Sequence, residues 1–595
     1  MPASDSFTAM LRARAARHGD RIALIAHQPT DPAADESLTY ADLDRVARGM
    51  AGFLRRRATP GDRVLLINES TTGFATAFLG CLYAGMIAVP VSAPHGYRRQ
   101  KERLAAVARD AGARVALSDP ADLATTGTWA ADSGLRNLVC LAPEATALPD
   151  QADWTEPPPD ARGLAFLQYT SGSTGSPKGV MVDHGNILAN ADLFAAMGRL
   201  TERTRFGGWL PMYHDFGLIG LLLIPLAKGC TTVLMPPSAF LRRPHRWLQM
   251  IHRYGVNLST APDFAYELCV RRVTDDQVEG LDLAGWTHAA NGSEPIRPST
   301  LKAFGDRFAA FGLPRTALLP AYGLAEATLA VSCTRPETGA VITPIDAGRL
   351  EKGEFMPADD APAGDGPAGV RLLASSGVRE PGTVVVDPGT RQVLTDGRVG
   401  EIWVRGPQVT RGYWGKEGET RRVFDATTAG GDGGYLRTGD LAVIWDGQLY
   451  VTGRIKEVLV VRGRNLYPQD IESEARTVHP ALAGGAGAAF AVSVPSEEIV
   501  LVHECRTRDL GDLSPARLTE QIRFTLAREL GVSLGGVVLL RPAAVQRTTS
   551  GKIQRAMMRD LFTTGALPAV HEDLSPPVRL RFRPGGPGPA GQEPR

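Results

Sequence analysis

Cysteine is scarce in this chain. Cys81, Cys140, Cys230, Cys269, Cys333 and Cys505 are scattered over 595 residues with no C-x-x-C spacing. That argues against a disulfide framework or a zinc site and suits a reducing cytosol. Net charge is nearly absent as well, at +1, which gives no reason to expect a nucleic acid or other polyanion as partner. There is no G-x-S-x-G motif and no Cys/His constellation, so no covalent nucleophile is indicated. No repeat of fixed period occurs. The first twenty residues contain arginines but no apolar run, which excludes a secretory signal and leaves the cytoplasm as the expected location. One uncharged stretch, residues 74–91, approaches the length of a membrane span. Gly85 splits it, and the proline-bearing, β-rich second half predicts a helix over 72–84 followed by a buried strand.

What is present is an ordinary globular composition, 43% hydrophobic and 22% charged, in a chain too long for one core. Two or more domains are expected. The stretch YTSGSTGSPKG, residues 169–179, stands out because it lies between two apolar runs that read as strands, 163–168 and 179–182. Gly172, Gly175 and Gly179 let the backbone turn sharply and let amide N–H groups approach an anion. Thr170, Ser171, Ser173, Thr174 and Ser176 add hydroxyl donors, and Lys178 adds a point charge suited to phosphate. The pattern predicts a hairpin-like arch that holds phosphate. It is not a Walker A loop, because Pro177 precedes the lysine and Gly179 follows it.

Before the arch, helix-like segments at 41–55, 72–84 and 98–110 alternate with strand-like ones at 63–68, 86–91, 114–117 and 137–141, which predicts layered α/β architecture. After it come a helix at 185–200, an irregular WLPMYHDFG, a short apolar helix at 217–227, and strands at 231–235, 257–261, 286–291 and 317–322. The apolar helix reads equally as ordinary core or as the lining of an acyl pocket. Residues 334–377 are rich in Gly, Pro, Ala and acidic residues and read as a long excursion, with ITPIDAGRLEKGEF its only patterned piece. Strands at 383–387, 399–405 and 448–452 predict a β-rich subdomain. Beyond Arg464 the pattern becomes a small unit with helices at 468–478 and 518–530 and strands at 488–494, 499–505 and 537–541.

Five segments in fixed order carry a family resemblance: YTSGSTGSPKG, PAYGLAEAT (320–328), LRTGDLA (436–442), GRIKEVLVVRGRNLYPQDIE (453–472) and TTSGKIQR (548–555). Together they resemble the adenylate-forming superfamily. LPMYHDFGLIG (210–220), NGSEPIR (291–297) and the excursion after Thr334 are most similar to its fatty acyl-AMP ligases. The resemblance implies a multidomain α/β fold. A large N-terminal domain, 1–455, would comprise layered α/β subdomains and the β-rich subdomain. A small mobile α+β domain, 456–574, and an unstructured Pro/Gly-rich tail, 575–595, would follow.

It also implies roles. The loop containing Thr170, Ser171, Gly172, Ser173, Thr174, Gly175 and Lys178 would hold the β and γ phosphates of ATP. Asn291, Gly292, Ser293, Glu294, Ala321, Tyr322 and Gly323 would form the adenine pocket, with Tyr322 as a stacking face. Asp440, read as lying in a turn, would accept the ribose hydroxyls, and Arg454 would reach ribose or phosphate. Glu326 would bind Mg²⁺, although a glutamate serving a helix N-terminus is a fair alternative. Lys552 would bridge the carboxylate and the α-phosphate, and a hinge at Lys456 would swing it in and out. His214 would close the acyl site; an isolated histidine is otherwise commonly a structural hydrogen-bonding residue.

The implied reaction joins a fatty acid to AMP and hands the acyl group to the phosphopantetheine thiol of an acyl carrier protein. No carrier segment follows, so the carrier is expected in trans. Arg462, Arg464, Arg547, Arg555 and Arg559 form a candidate basic face for it, with a solvated charged surface as the equal alternative. Two other functions stay open: an acyl- or aryl-CoA synthetase, and a non-catalytic binding or scaffold member. The F-D-x-S pattern of amino-acid activation is missing.

Overall fold

The computed structural model describes residues 6–95, 98–143, 148, 154–155, 157–158, 160–170, 177–358, 369–461, 464–494, 496–548 and 551–583. The alternating first half builds two sheets with parallel centres. In the six-stranded sheet the strands run in the order Val139–Leu141, Val115–Leu117, Arg63–Leu66, Ile87–Pro90, Leu164–Thr170, Lys178–Asp183. Only the last pair is antiparallel. In the eight-stranded sheet six parallel strands (Leu318–Gly323, His288–Asn291, Leu258–Ala261, Arg205–Gly208, Thr231–Leu234, Ile22–Ala26) lie between the antiparallel edges Ala330–Cys333 and Glu36–Thr39.

One apolar core joins the facing sides of both sheets to the helices Tyr40–Arg55, Thr71–Tyr83 and His184–Gly198. Strand alternation explains the division of labour. Val64 and Leu66 point into this core, while Leu65 points the other way, onto the helix Arg98–Ala111. The first of the three core helices is capped by Thr39 and Asp42, which bond reciprocally in a capping box. The uncharged 74–91 stretch becomes the buried helix Thr71–Tyr83 and the buried strand Ile87–Pro90. A Cβ on Gly80 would sit 2.2 Å from Met50 Cγ, so glycine is what lets these two helices touch. Among the described residues no helix is long and apolar enough to cross a membrane.

The apolar helix expected at 217–227 begins earlier and is not uniform. Asp215–Leu218 is α, Ile219–Leu223 is a π-type turn, and Ile224–Lys228 returns to α. The buried Thr232 hydroxyl donates to Leu221 C=O at 2.7 Å, taking a carbonyl that the wider turn releases.

The 334–377 excursion is more regular than its composition suggests. Ile342–Asp346 and Val370–Ala374 pair as an antiparallel ribbon, with the short helix Ala347–Glu351 after the first strand. Next comes a four-stranded antiparallel sheet of Thr383–Val386, Gly400–Val404, Leu436–Trp445 and Gln448–Arg454. Its third strand corrects the reading of Asp440 as a turn residue. Asp440 is in register opposite Arg454, beside a bulge and after Gly439 at φ +73°.

The C-terminal sheet orders Gly487–Val494, Ser496–Glu504, Leu534–Leu540 and Ala569–Leu574. The helices Pro468–Thr477 and Pro515–Leu530 pack on one face, and Arg555–Thr563 packs on the other. The tail expected from Ser575 is corrected in part. Pro576–Phe582 is helical, anchored by the fully buried Val578, because its apolar residues close the second face of the sheet.

Candidate active site

The phosphate arch is a true hairpin. Leu164–Thr170 pairs with Lys178–Asp183, with Thr170 opposite Lys178 and Tyr169 opposite Gly179. Ser171, Gly172, Ser173, Thr174 and Gly175 lie outside the described residues. The feet of the arch are fixed by neighbours that carried no motif. The Tyr169 hydroxyl donates to Asp110 Oδ2 at 2.7 Å, and Asp110 Oδ1 also holds Lys416 Nζ at 3.0 Å. Lys178 pairs with Glu419 on the helix Glu417–Phe424 and lies 5.3 Å over the Tyr413 ring. Backbone bonds from Met181 N to Gly412 C=O and from Trp414 N to Gly179 C=O add a third strand-like support. A Cβ on Gly179 would come within 2.9 Å of the Tyr169 ring, so this glycine serves close packing.

The same Tyr413 reaches the expected metal ligand. Its hydroxyl donates to Glu326 Oε1 at 2.8 Å, while Thr410 N–H and Oγ1–H donate to the Glu326 carbonyl at 2.9 and 3.0 Å. Glu326 lies in the short 3₁₀ turn Ala325–Ala327. Burial pushes its carboxyl pKa up, opposed chiefly by the Tyr413 hydrogen bond. A hard carboxylate oxygen with a partly unpaid desolvation cost suits Mg²⁺.

Parallel strands of the eight-stranded sheet deliver the remaining groups from their C-terminal ends, the edge where α/β folds place ligands. Ser293, Glu294, Ala321, Tyr322 and Gly323 line a cleft of about 2200 Å³ together with Thr170, His214, Asp440, Arg454 and Lys552. Asn291 and Gly292 sit one layer behind that wall. Asn291 is fully buried and donates from Nδ2 to Asp263 Oδ1 at 3.0 Å, so it braces the pocket where sequence reading has it face the ligand. Asp263 is itself fully buried and is satisfied by Arg297 Nε at 2.6 Å and Thr300 Oγ1 at 3.1 Å. Glu294 accepts from Phe264 N–H; burial and the Asp263 charge raise its pKa to about 7.

Asp440 is almost wholly buried. Its Oδ1 lies 2.9 Å from Arg454 Nε, and its Oδ2 accepts from the Tyr322 hydroxyl at 2.7 Å. The Asp440 charge raises the Arg454 pKa, and burial with that same charge raises the Tyr322 pKa. Behind them Glu401, also buried, accepts from Arg437, from Trp403 Nε1 and from Gly439 N–H at 3.1 Å, which fixes the backbone entering Asp440.

Lys552 is half-buried in the cleft, on a tight turn closed by Thr548 N–H to Lys552 C=O at 2.7 Å. Gly551 before it adopts φ +89° with the Phe264 ring 3.2 Å from where a Cβ would be. Burial and the Arg454 charge lower the lysine pKa, while Asp215, Asp440 and Glu294 act in the other direction. The side chain therefore senses carboxylates from three separate segments of the wall. His214 also lines the cleft, with its ring centroid 4.9 Å from that of Tyr213, whose carbonyl is held by Gln168 Nε2 at 2.8 Å.

Lys456 is exposed in the turn between Gln448–Arg454 and Leu459–Val461. Its neighbour Glu457 is tied to Arg555, which also grips Glu472 bidentately at 2.7 and 2.8 Å. That pairing corrects the expected basic face. Arg555 is spent on carboxylates, and Arg464 is bidentate to Glu351 at 2.7 and 2.8 Å. Arg559 lies 3.8 Å from Asp560, Arg547 lines the cleft, and Arg462 is outside the described residues.

Asp263, Glu401, Tyr413 and Glu419 were not found from sequence. Each is an unremarkable residue whose role arises from long-range packing.

The AMP-binding enzyme family model matches residues 11–414. Medium-chain-fatty-acid–[acyl-carrier-protein] ligase JamA of Moorena producens is 38% identical over 539 residues, 89% of this chain and 90% of that one. Long-chain-fatty-acid–AMP ligase FadD23 of Mycobacterium tuberculosis is 37% identical over 578 residues, 93% and 95% of the two chains. The fold superposes on the crystal structure of a fatty acyl-adenylate ligase from L. pneumophila in complex with acyl adenylate and pyrophosphate. The TM-score is 0.72 at 32% identity, covering 96% of this chain and 98% of that one. The chain belongs to the AMP-binding, adenylate-forming enzymes and is most like their fatty acyl-AMP ligases.

Proposed function

We propose that this protein is a ligase that activates a fatty acid with ATP and passes the acyl group to the phosphopantetheine thiol of an acyl carrier protein. The supporting observation is that one cleft is lined by Lys552, His214, Asp440, Arg454 and Thr170, the last at the foot of the phosphate hairpin.

In the first step a carboxylate oxygen of the fatty acid bonds to the α-phosphorus, and the bond from that phosphorus to the β-phosphate bridging oxygen breaks, releasing pyrophosphate. Two anions must meet, so the work is positioning and charge neutralisation. Lys552 spans the carboxylate and the α-phosphate; burial and the neighbouring Arg454 charge lower its pKa. Asp440 fixes the ribose hydroxyls and Tyr322 packs against adenine, with Arg454 held over the sugar and phosphate by its pairing with Asp440. The hairpin carrying Lys178 holds the departing pyrophosphate. His214 donates a hydrogen bond toward the acyl carboxylate. Glu326 would hold Mg²⁺, which would supply positive charge to the triphosphate. In the second step the thiol sulfur attacks the acyl carbon, the acyl–oxygen bond to AMP breaks, and the thiol proton passes to solvent.

The second attack needs room where Lys552 stands, so residues 456–574 would pivot against 1–455 about Lys456. The cytoplasm, with its ATP and reduced thiols, fits this chemistry. Incubation with ATP, Mg²⁺ and a fatty-acid series, with coenzyme A or a carrier protein as acceptor, tests the reading by product mass. Efficient acyl-CoA formation without carrier acylation would replace it with the acyl-CoA synthetase reading.

A further inference from the structure

Arginines in this protein are commonly paired, but four on one surface are not. Arg242 ends the short helix Pro237–Arg242, Arg243 follows it, and Arg246 and Arg253 lie on the next helix, His245–Tyr254. Arg242, Arg243 and Arg253 are exposed and Arg246 is half-buried. None of the four has an ion-pair partner among the described residues. Their fields overlap: Arg246 is depressed by burial and by the charges of Arg243 and Arg242, and both Arg246 and Arg253 act on His27. Asp35, which also acts on His27, is occupied by that histidine at 3.1 Å and by the Tyr254 hydroxyl. On a chain whose net charge is +1, this is a concentrated positive patch.

The helix carrying Leu241 and Arg242 follows the C-terminal end of Thr231–Leu234, on the edge of the eight-stranded sheet that carries the cleft residues Ser293 and Tyr322. A chain of rings joins the two places. Phe240 stacks on Trp209 at 3.9 Å, and Trp209 meets Phe264, a cleft-lining residue, edge-on at 6.1 Å. One turn of helix thus turns Phe240 inward and leaves Leu241 49% exposed beside the arginines.

A membrane-surface element wants a broad apolar face. Here Leu241 is the one large apolar side chain exposed on this helix pair among the described residues. A single apolar contact ringed by unpaired arginines suits an acidic protein, for which charge steers encounter and the leucine anchors the centre. Building on the carrier-transfer reading, we infer that Leu241, Arg242, Arg243, Arg246 and Arg253 form the docking surface for an acidic, phosphopantetheine-bearing carrier protein.

The test compares wild type with Arg242→Glu/Arg243→Glu, both exposed positions away from the cleft lining, using a phosphopantetheinylated acyl carrier protein as acceptor. The double variant should raise the KM for the carrier about tenfold at low salt and lose the salt dependence of transfer. Fatty-acid-dependent ATP–pyrophosphate exchange should stay unchanged, and Arg242→Lys/Arg243→Lys should retain transfer. An unchanged carrier KM in the charge-reversed variant overturns the inference, and if that variant instead loses binding to phosphatidylglycerol vesicles, the patch is a membrane contact. Wild type that forms the adenylate but acylates no carrier sinks the transfer reading, and this inference with it.

Discussion

Lys178, at the foot of the hairpin, is paired with Glu419, a residue 241 positions later on the helix Glu417–Phe424. The lysine side chain is 16% exposed and the glutamate 24%, so the pair is only partly screened. A triphosphate arriving at the hairpin has to compete with that carboxylate for the same charge. Glu419 is then expected to act as a positioning residue for Lys178.

Removing that partner should favour nucleotide. Glu419→Gln is expected to lower the KM for ATP about threefold to tenfold with little change in kcat, from a pair worth about 1 kcal/mol. Lys178→Ala should raise that KM, and adding Glu419→Gln to it should change nothing further. Steady-state ATP–pyrophosphate exchange on the four proteins checks this; a gain that persists in the Lys178→Ala background contradicts it.

Lys552 carries the adenylation step in this account, so its loss should separate the two half-reactions. Lys552→Ala is expected to slow adenylate formation by about 10²–10³-fold. Transfer from chemically supplied acyl-adenylate to the thiol should continue near the wild-type rate. Equal damage to both steps would instead indicate a structural role for the lysine turn.

Glu294 makes stability depend on pH. Its pKa in the folded protein, about 7, lies above the ordinary 4.5, so between those values the folded state binds more proton than the unfolded one. The associated stabilisation is complete below pH 4.5, shrinks as the pH rises, and is gone above about 7. Its size is at most about 3 kcal/mol. Glu294→Gln should therefore remove part of the decline in melting temperature between pH 5 and 8 and exceed wild type at pH 8. Parallel melting curves for the two proteins across that range would contradict the assignment.

The ribbon of Ile342–Asp346 and Val370–Ala374, with the helix Ala347–Glu351, touches residues 464–470 through two charged contacts. Glu351 grips Arg464, and Arg371 lies 2.7 Å from Asp470. Glu351→Ala/Arg371→Ala should loosen residues 456–477 and speed their amide hydrogen exchange, because two partly buried pairs are lost together. The distant helix Tyr40–Arg55 should exchange as before. Unchanged exchange at 456–477 would show that the pairs do not hold this segment.

The sequence was readable wherever a single segment contained its own reason. Alternating strands and helices, the buried 71–83 helix and the hairpin arch followed from local periodicity and turn chemistry. Asp440 was found by motif but misread as a turn, since the strand around it depends on Gly439 and on Glu401 far away in sequence. The ribbon of the excursion was hidden because Gly- and Pro-rich composition says little about a two-stranded pairing across a long loop. Asn291 carried the right motif and the wrong orientation, because only the packed Asp263 behind it shows which way the amide turns. The basic face failed for a similar reason: exposure of an arginine is not visible until its carboxylate is found.

The central claim is ATP-driven formation of a fatty acyl-adenylate that is consumed by a carrier thiol. The most direct measurement is intact-protein mass spectrometry of a phosphopantetheinylated carrier protein after incubation with the enzyme, ATP, Mg²⁺ and a fatty acid, alongside a coenzyme A reaction. The account predicts a carrier mass increased by the acyl group, dependent on ATP and on Lys552, with little acyl-CoA. An unmodified carrier beside abundant acyl-CoA would contradict it.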